Sequence, residues 1–184
     1  MFAKEVEEMA HVVNGINVDQ MTDTIRSIRR DPAKAKETWK ATTTWKEGNY
    51  VQTRIREFIM EGDEPDKLLG MGRAPNAVEA VLHALGTCLA TSVVHHAAAR
   101  GITIDSLVLD VTGELDMRGY LGLSVDVRPG YQKVTVCCRI SADAPPDALK
   151  GLWEHAQRIS PVLDTIRNPV AVSLVLDGNG RAGQ

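Results

Sequence analysis

The chain has 184 residues, a net charge of −3, and aromatic residues make up only 4% of it. That length supports one domain, or one domain with an appendage, around an aliphatic core. The charge gives no basic footprint for nucleic acid. The first residues, MFAKEVEEMAHVV, mix acids into their apolar positions and do not read as a signal peptide. Three cysteines, two of them adjacent, make no disulfide framework and suit a reducing cytoplasm.

Residues 1–38 read as a polar helical extension. A first helix is expected over residues 3–13, broken at Asn14-Gly15. A second runs from about Val18 to Arg30 with Met21, Ile25 and Ile28 in one stripe, and stops at Asp31-Pro32. From Lys40 to Ile59 the period changes to two. Ala41, Thr43 and Trp45 alternate with Thr42, Thr44 and Lys46, and Glu47-Gly48-Asn49 turns the chain into a second strand over residues 50–59. On that strand Gln52, Arg54, Arg56 and Phe58 are expected on one face. Two arginines there are either a solvated face or guanidinium groups offered to an anion at an interface. A loop rich in glycine, proline and charge follows over residues 62–74.

Residues 76–100 form the segment around which the chain is expected to be built. Val78, Val81, Leu82, Leu85, Leu89 and Val93 recur at helical spacing with small residues between them, which predicts a helix buried in the middle of the fold. Glu79, His83, His95 and His96 interrupt it too often for a membrane span. Asn76 with Glu79 three residues on is a capping box, and Arg100-Gly101 is a C-terminal stop. A strand is expected over residues 107–115, a glycine-bearing excursion over 119–130, and a strand over 131–141 with Val134, Val136, Cys138 and Ile140 facing inward. Pro145-Pro146 opens one helix and Ser160-Pro161 a second, a last apolar strand is expected over 170–176, and 178–184 is a tail. The fold class is α+β with a mostly antiparallel sheet.

Cys88 lies midway along the central helix. It is open to two readings: a small hydrophobe in the core, or a working thiol. A thiol in apolar surroundings is inert unless a cation stabilises its thiolate, and the helix supplies none locally. Cys137 and Cys138 are neighbours on a strand and so point to opposite faces. The histidines have no metal-ligand spacing relative to the cysteines, so no metal site is expected. Ser160 before Pro161 is a helix N-cap by itself.

The order Pro75-Asn76-Ala77-Val78-Glu79, Ala84-Leu85-Gly86-Thr87-Cys88, Gly101-Ile102, Arg128-Pro129-Gly130, Ser160-Pro161-Val162 and Asn168-Pro169-Val170 resembles the OsmC/Ohr family of osmotically inducible and organic hydroperoxide resistance proteins. The resemblance covers roughly residues 40–176, placed in a domain over 39–177. It implies an intertwined homodimer with sheets wrapped around the central helices. It also implies thiol-dependent reduction of organic hydroperoxides without a cofactor: a central-helix Cys attacks the peroxide, and a second Cys resolves the sulfenic acid. By position Cys88 is the attacking thiol, and Glu79 matches the glutamate that orders an activating arginine. Two departures follow. Ser160 stands where the family has its second Cys, and the first hairpin turn holds no arginine, leaving Arg56, then Arg54, as the nearest. The resulting expectation is a cytoplasmic one-cysteine peroxidase dependent on an external thiol. The alternative is non-catalytic binding of a small hydrophobic ligand in the dimer-interface cleft, with Ser160 and Arg54 in its binding surface.

Overall fold

The computed structural model describes residues 10–178. The long helix is formed as its sequence requires: α2 spans Ala77–Ala99. Asn76 takes the Glu79 N–H on its side chain, and the Glu79 carboxylate takes the Asn76 N–H back, both at 2.9 Å. A cap of this kind is worth about 1 kcal/mol. The chain leaves the helix through Gly101 at φ +68°, where a side chain would be strained.

Two antiparallel strands pack on α2. They are β6 (Ile104–Glu114) and β7 (Lys133–Ala142), paired in register with Leu109 opposite Cys138 and Val111 opposite Val136. Their period-two pattern turns Leu107, Leu109, Val111, Val134, Val136 and Ile140 towards the helices. The lack of a side chain at Gly113 matters, because a Cβ there would sit 2.3 Å from the Tyr131 ring. The space lets Tyr131 cross the strand and donate its hydroxyl to the Val78 carbonyl in the first turn of α2 at 2.8 Å. The excursion between the strands contains one helical turn, α3 (Met117–Tyr120), capped by Asp116.

Two further helices complete the body. α4 (Pro146–Ile159) and α5 (Pro161–Arg167) are separated by Ser160, which ends the first and caps the second. The core has two connected halves. Val93, Ala97, Leu152 and Ala156 form one, where small residues let α2 and α4 approach closely; Leu85, Leu89 and Leu163 form the other. Trp153 packs against both.

A three-stranded antiparallel sheet precedes α2: β3 (Ala41–Glu47), β4 (Tyr50–Ile55) and β5 (Phe58–Gly62). The expected second strand over residues 50–59 is therefore two strands. The chain reverses at Arg56, which holds φ +53°, and Ile55 faces Phe58 across the new turn. The break follows from Arg56-Glu57, exposed polar residues that have no apolar face to extend. It also removes Arg56 from the face shared with Gln52 and Arg54.

Three more expectations need correction. Val12–Val13 (β1) and Ile16–Asn17 (β2) form a small hairpin around Asn14 at φ +53° and Gly15 at φ +76°, and none of the described residues 10–13 of the expected first helix is helical. The earlier part of that helix lies outside the described residues, as does most of the tail expected over 178–184. The second expected helix is present as α1 (Val18–Arg30), capped by Asn17. Asn14 fastens this segment to the body, donating to the Ile102 carbonyl and accepting from the Ile104 N–H, both at 2.9 Å.

The central helix is not buried all round within one chain. Leu85, Leu89, Val93, Ala97 and Ala98 are buried, whereas His83, Thr87, Thr91 and His95 line an exposed, polar stripe. By length and composition α2 meets the requirement for crossing a bilayer, yet its apolar face is occupied by β6, α4 and α5. Finally, residues 170–176 form no strand here. Val172, Leu174 and Leu176 are 76%, 90% and 93% exposed, because a strand pattern without a partner strand has no ladder to join.

Candidate functional site

Cys88 and Ser160 meet. The Cys88 Sγ lies 3.1 Å from the Ser160 Oγ, joining residues 72 positions apart in sequence. Each is placed by its own element. Cys88 sits on α2 between the buried Leu85 and Leu89, whereas Ser160 is held at the α4–α5 junction, 1% exposed. The Ser160 hydroxyl also accepts the Leu163 N–H at 3.2 Å as the N-cap of α5. With that donor on its oxygen, the hydroxyl proton remains available to the sulfur, or to an oxygen bound to the sulfur. The cap expected from sequence and a direct contact with the thiol are thus the same side chain. Cys88 is only partly buried, so it is accessible to a small molecule while backed by apolar core.

The other sequence-predicted residues lie elsewhere. The Glu79 carboxylate is engaged in the capping box, nine residues before Cys88 and so about 13 Å away along the helix axis. Arg56 sits at the β4–β5 turn with its guanidinium 5.0 Å from the centre of the Phe58 ring. Arg54 is exposed, opposite Thr42 and Ile59. Its neighbours Val51, Thr53 and Ile55 line a cavity against the start of α2, and strand alternation puts Arg54 on the other side of the sheet. Among the described residues, no arginine makes a hydrogen bond or ion pair with Cys88.

The first hairpin turn does have an arginine beside it, supplied from outside the hairpin. Arg73 reaches back from the loop before α2 to the Glu47 carboxylate at 2.8 Å, and its guanidinium stands 5.1 Å from the centre of the Tyr50 ring. Asp63, 4% exposed, organises that loop by accepting the backbone N–H groups of Glu64, Met71 and Arg73. Burial opposes its ionisation, but these three donors together hold its carboxyl below the usual range. Sequence spacing offers no signal for Arg73, because the loop that delivers it has no period.

The remaining cysteines are apart from this pair. All three described cysteines are free thiols. Cys137 is exposed on the outer face of β7, beside the ion pair of Arg139 with Asp110. Cys138 faces inward, where burial pushes its thiol up. Among the described residues, no group of three or more His, Cys, Asp or Glu side chains is arranged to hold a metal ion.

This architecture, an apolar helix carrying a thiol with a two-stranded sheet and a broken helix pair packed on one side, defines an OsmC-like fold. Solved structures share it. The OsmC-like protein of Mycoplasma pneumoniae superposes with a TM-score of 0.63 at 18% identity, over 73% of this chain and 90% of that one. An OsmC-like protein of unknown function from Vibrio cholerae gives 0.59 at 14% identity, over 71% and 94%. An organic hydroperoxide resistance protein OsmC from Legionella pneumophila gives 0.52 at 16% identity, over 71% and 90%. At these identities the likeness concerns the fold. No curated protein matches the chain in sequence. The family model described as OsmC-like protein matches residues 70–175, and the chain belongs to that family.

Proposed function

We propose that this chain is an oxidative-stress protein that reduces organic hydroperoxides through Cys88 as a one-cysteine peroxidase. The observation that carries the reading is the 3.1 Å contact between Cys88 and Ser160. The position facing the thiol is occupied by a hydrogen-bonding hydroxyl that can hold an oxidised sulfur but cannot form a disulfide with it. In the first step the Cys88 thiolate attacks the outer peroxide oxygen. The O–O bond breaks, the alkoxide leaves and takes a proton as an alcohol, and Cys88 becomes a sulfenic acid. An external thiol then condenses with the sulfenic acid, releasing water and leaving a mixed disulfide. A second external thiol displaces Cys88 as thiolate and departs as the oxidised disulfide. Ser160 can donate its hydroxyl proton to the thiolate before the reaction and to the sulfenic oxygen after it.

The same reading includes a second copy of the chain as partner. Support comes from two uncovered surfaces that carry large apolar side chains: the sheet β3–β5, with Trp45, Phe58 and Ile59 exposed, and residues 170–176. The Legionella pneumophila protein of this fold is an organic hydroperoxide resistance protein by name, which is consistent with the substrate class.

The test is intact mass after exposure to cumene hydroperoxide with a sulfenic-acid trap, on wild type and Cys88→Ala. We expect one trapped adduct in wild type and none in the variant. Absence of an adduct on Cys88, under conditions that oxidise free cysteine, would sink the peroxidase reading.

A further inference from the structure

A cavity of about 470 Å³ lies between α2, β7, α4 and α5, in the size range of small-ligand pockets. Its floor is apolar: Leu85, Leu89, Val134, Val136, Trp153 and Leu163. Its rim carries Arg128, Lys133 and Arg167, one from the excursion before β7, one from β7 and one from the last turn of α5. Among the described residues, no acidic side chain lines it. That is unexpected on a chain whose acids outnumber its lysines and arginines, 24 to 21. Among the described residues, Arg128 and Arg167 have no ion-pair partner, and Lys133 meets Glu114 only at 3.7 Å with both side chains exposed, a weak attachment. Cys88 and Ser160 do not line the cavity.

We propose that this cavity binds an amphiphilic anion, an aliphatic chain ending in a carboxylate or comparable acidic headgroup. The chain lies on the leucine–valine floor against Trp153, and the headgroup sits at the rim among Arg128, Lys133 and Arg167. The apolar floor supplies affinity in proportion to the area it removes from water. The three cations supply the selection for charge, since a neutral or cationic head of equal chain length leaves them unpaired or repelled. Arginine at two of the three positions suits a planar, two-oxygen head better than lysine does.

The test is a calorimetric titration of the full chain with decanoate, decanol and decyltrimethylammonium, each below its micelle concentration, repeated on the triple variant Arg128→Gln, Lys133→Gln, Arg167→Gln. We expect saturable binding of decanoate, decanol at least tenfold weaker, no binding of the cation, and about a tenfold loss for decanoate in the triple variant with decanol unchanged. Far-ultraviolet circular dichroism checks that the variant, altered only at the rim, is folded. Equal affinity for decanol and decanoate overturns the proposal, as does undiminished decanoate binding by the folded triple variant or the absence of saturable binding. The proposal does not depend on the thiol chemistry. Repeating the titration on Cys88→Ala separates the two, because the cavity survives there whether or not Cys88 is a peroxidatic thiol.

Discussion

Ser160 combines three roles in one side chain. It terminates α4, caps α5 and contacts the Cys88 sulfur, and its 1% exposure leaves no room for it to turn elsewhere. The contact distance makes a direct prediction. A disulfide needs its sulfurs about 2.05 Å apart, so a sulfur at position 160 has to close roughly 1 Å, which side-chain rotation can supply. In Ser160→Cys, peroxide is expected to produce a disulfide between Cys88 and the introduced thiol, seen as two fewer titratable thiols and as a linked peptide in a non-reducing digest. Persistence of the sulfenic adduct in that variant would show that the two positions are not in reach during turnover. Among the described residues, neither Cys137, exposed on the outer face of the sheet, nor Cys138 makes a hydrogen bond with Cys88, whose sulfur meets Ser160.

At the level of elements, the crossing of α2 and α4 carries a pH dependence. The His96 and His155 rings meet edge to face with centroids 4.1 Å apart, next to the closely packed Ala97 and Ala156. Burial lowers the His96 pKa first, and the neighbouring His155, Arg100 and His95 lower it further. Arg158 approaches the far side of His155, 3.4 Å from its Nδ1. A histidine whose folded-state value lies below its unfolded value of about 6.5 stabilises the fold above that pH. The stability is lost as the pH falls through the folded-state value, because the unfolded chain binds the proton more readily. The melting temperature is therefore expected to drop on acidification below about pH 6.5, and His96→Gln to flatten that slope. An unchanged slope in the variant would assign the acid sensitivity to other groups.

At the scale of the whole molecule, two segments with large apolar side chains are uncovered. Residues 170–176 are a nearly all-apolar run of strand length and adopt none of a strand's hydrogen bonds, and β3 is exposed along its full length. A second copy would satisfy both, as unpaired strand edges and exposed apolar segments do when they meet. Light scattering is expected to give a dimer for wild type. Val172→Asp with Leu174→Asp should shift it to monomer or to aggregated material, because a charge buried in that contact has no partner. A clean dimer in the double variant would place the interface elsewhere.

What the amino-acid sequence determined by itself is local. The capping box of α2, the Ser160 cap, the inward set of β7 and the Pro-led helix starts each depend on residues within one turn or one strand, so spacing alone reveals them. The resemblance carried by the motifs around Cys88 and Ser160 was equally legible, and the family match confirms it. Tertiary structure alone decided the rest. A sheet turn at Arg56 divided one expected strand into two, and a hairpin at Asn14 replaced the end of an expected helix, because an asparagine and an arginine with left-handed backbone leave little trace in periodicity. Arg73 reached Glu47 across 26 positions, and Arg128, Lys133 and Arg167 converged on one cavity from three elements. Such convergence depends on how elements pack against each other, a long-range property that no window of sequence contains.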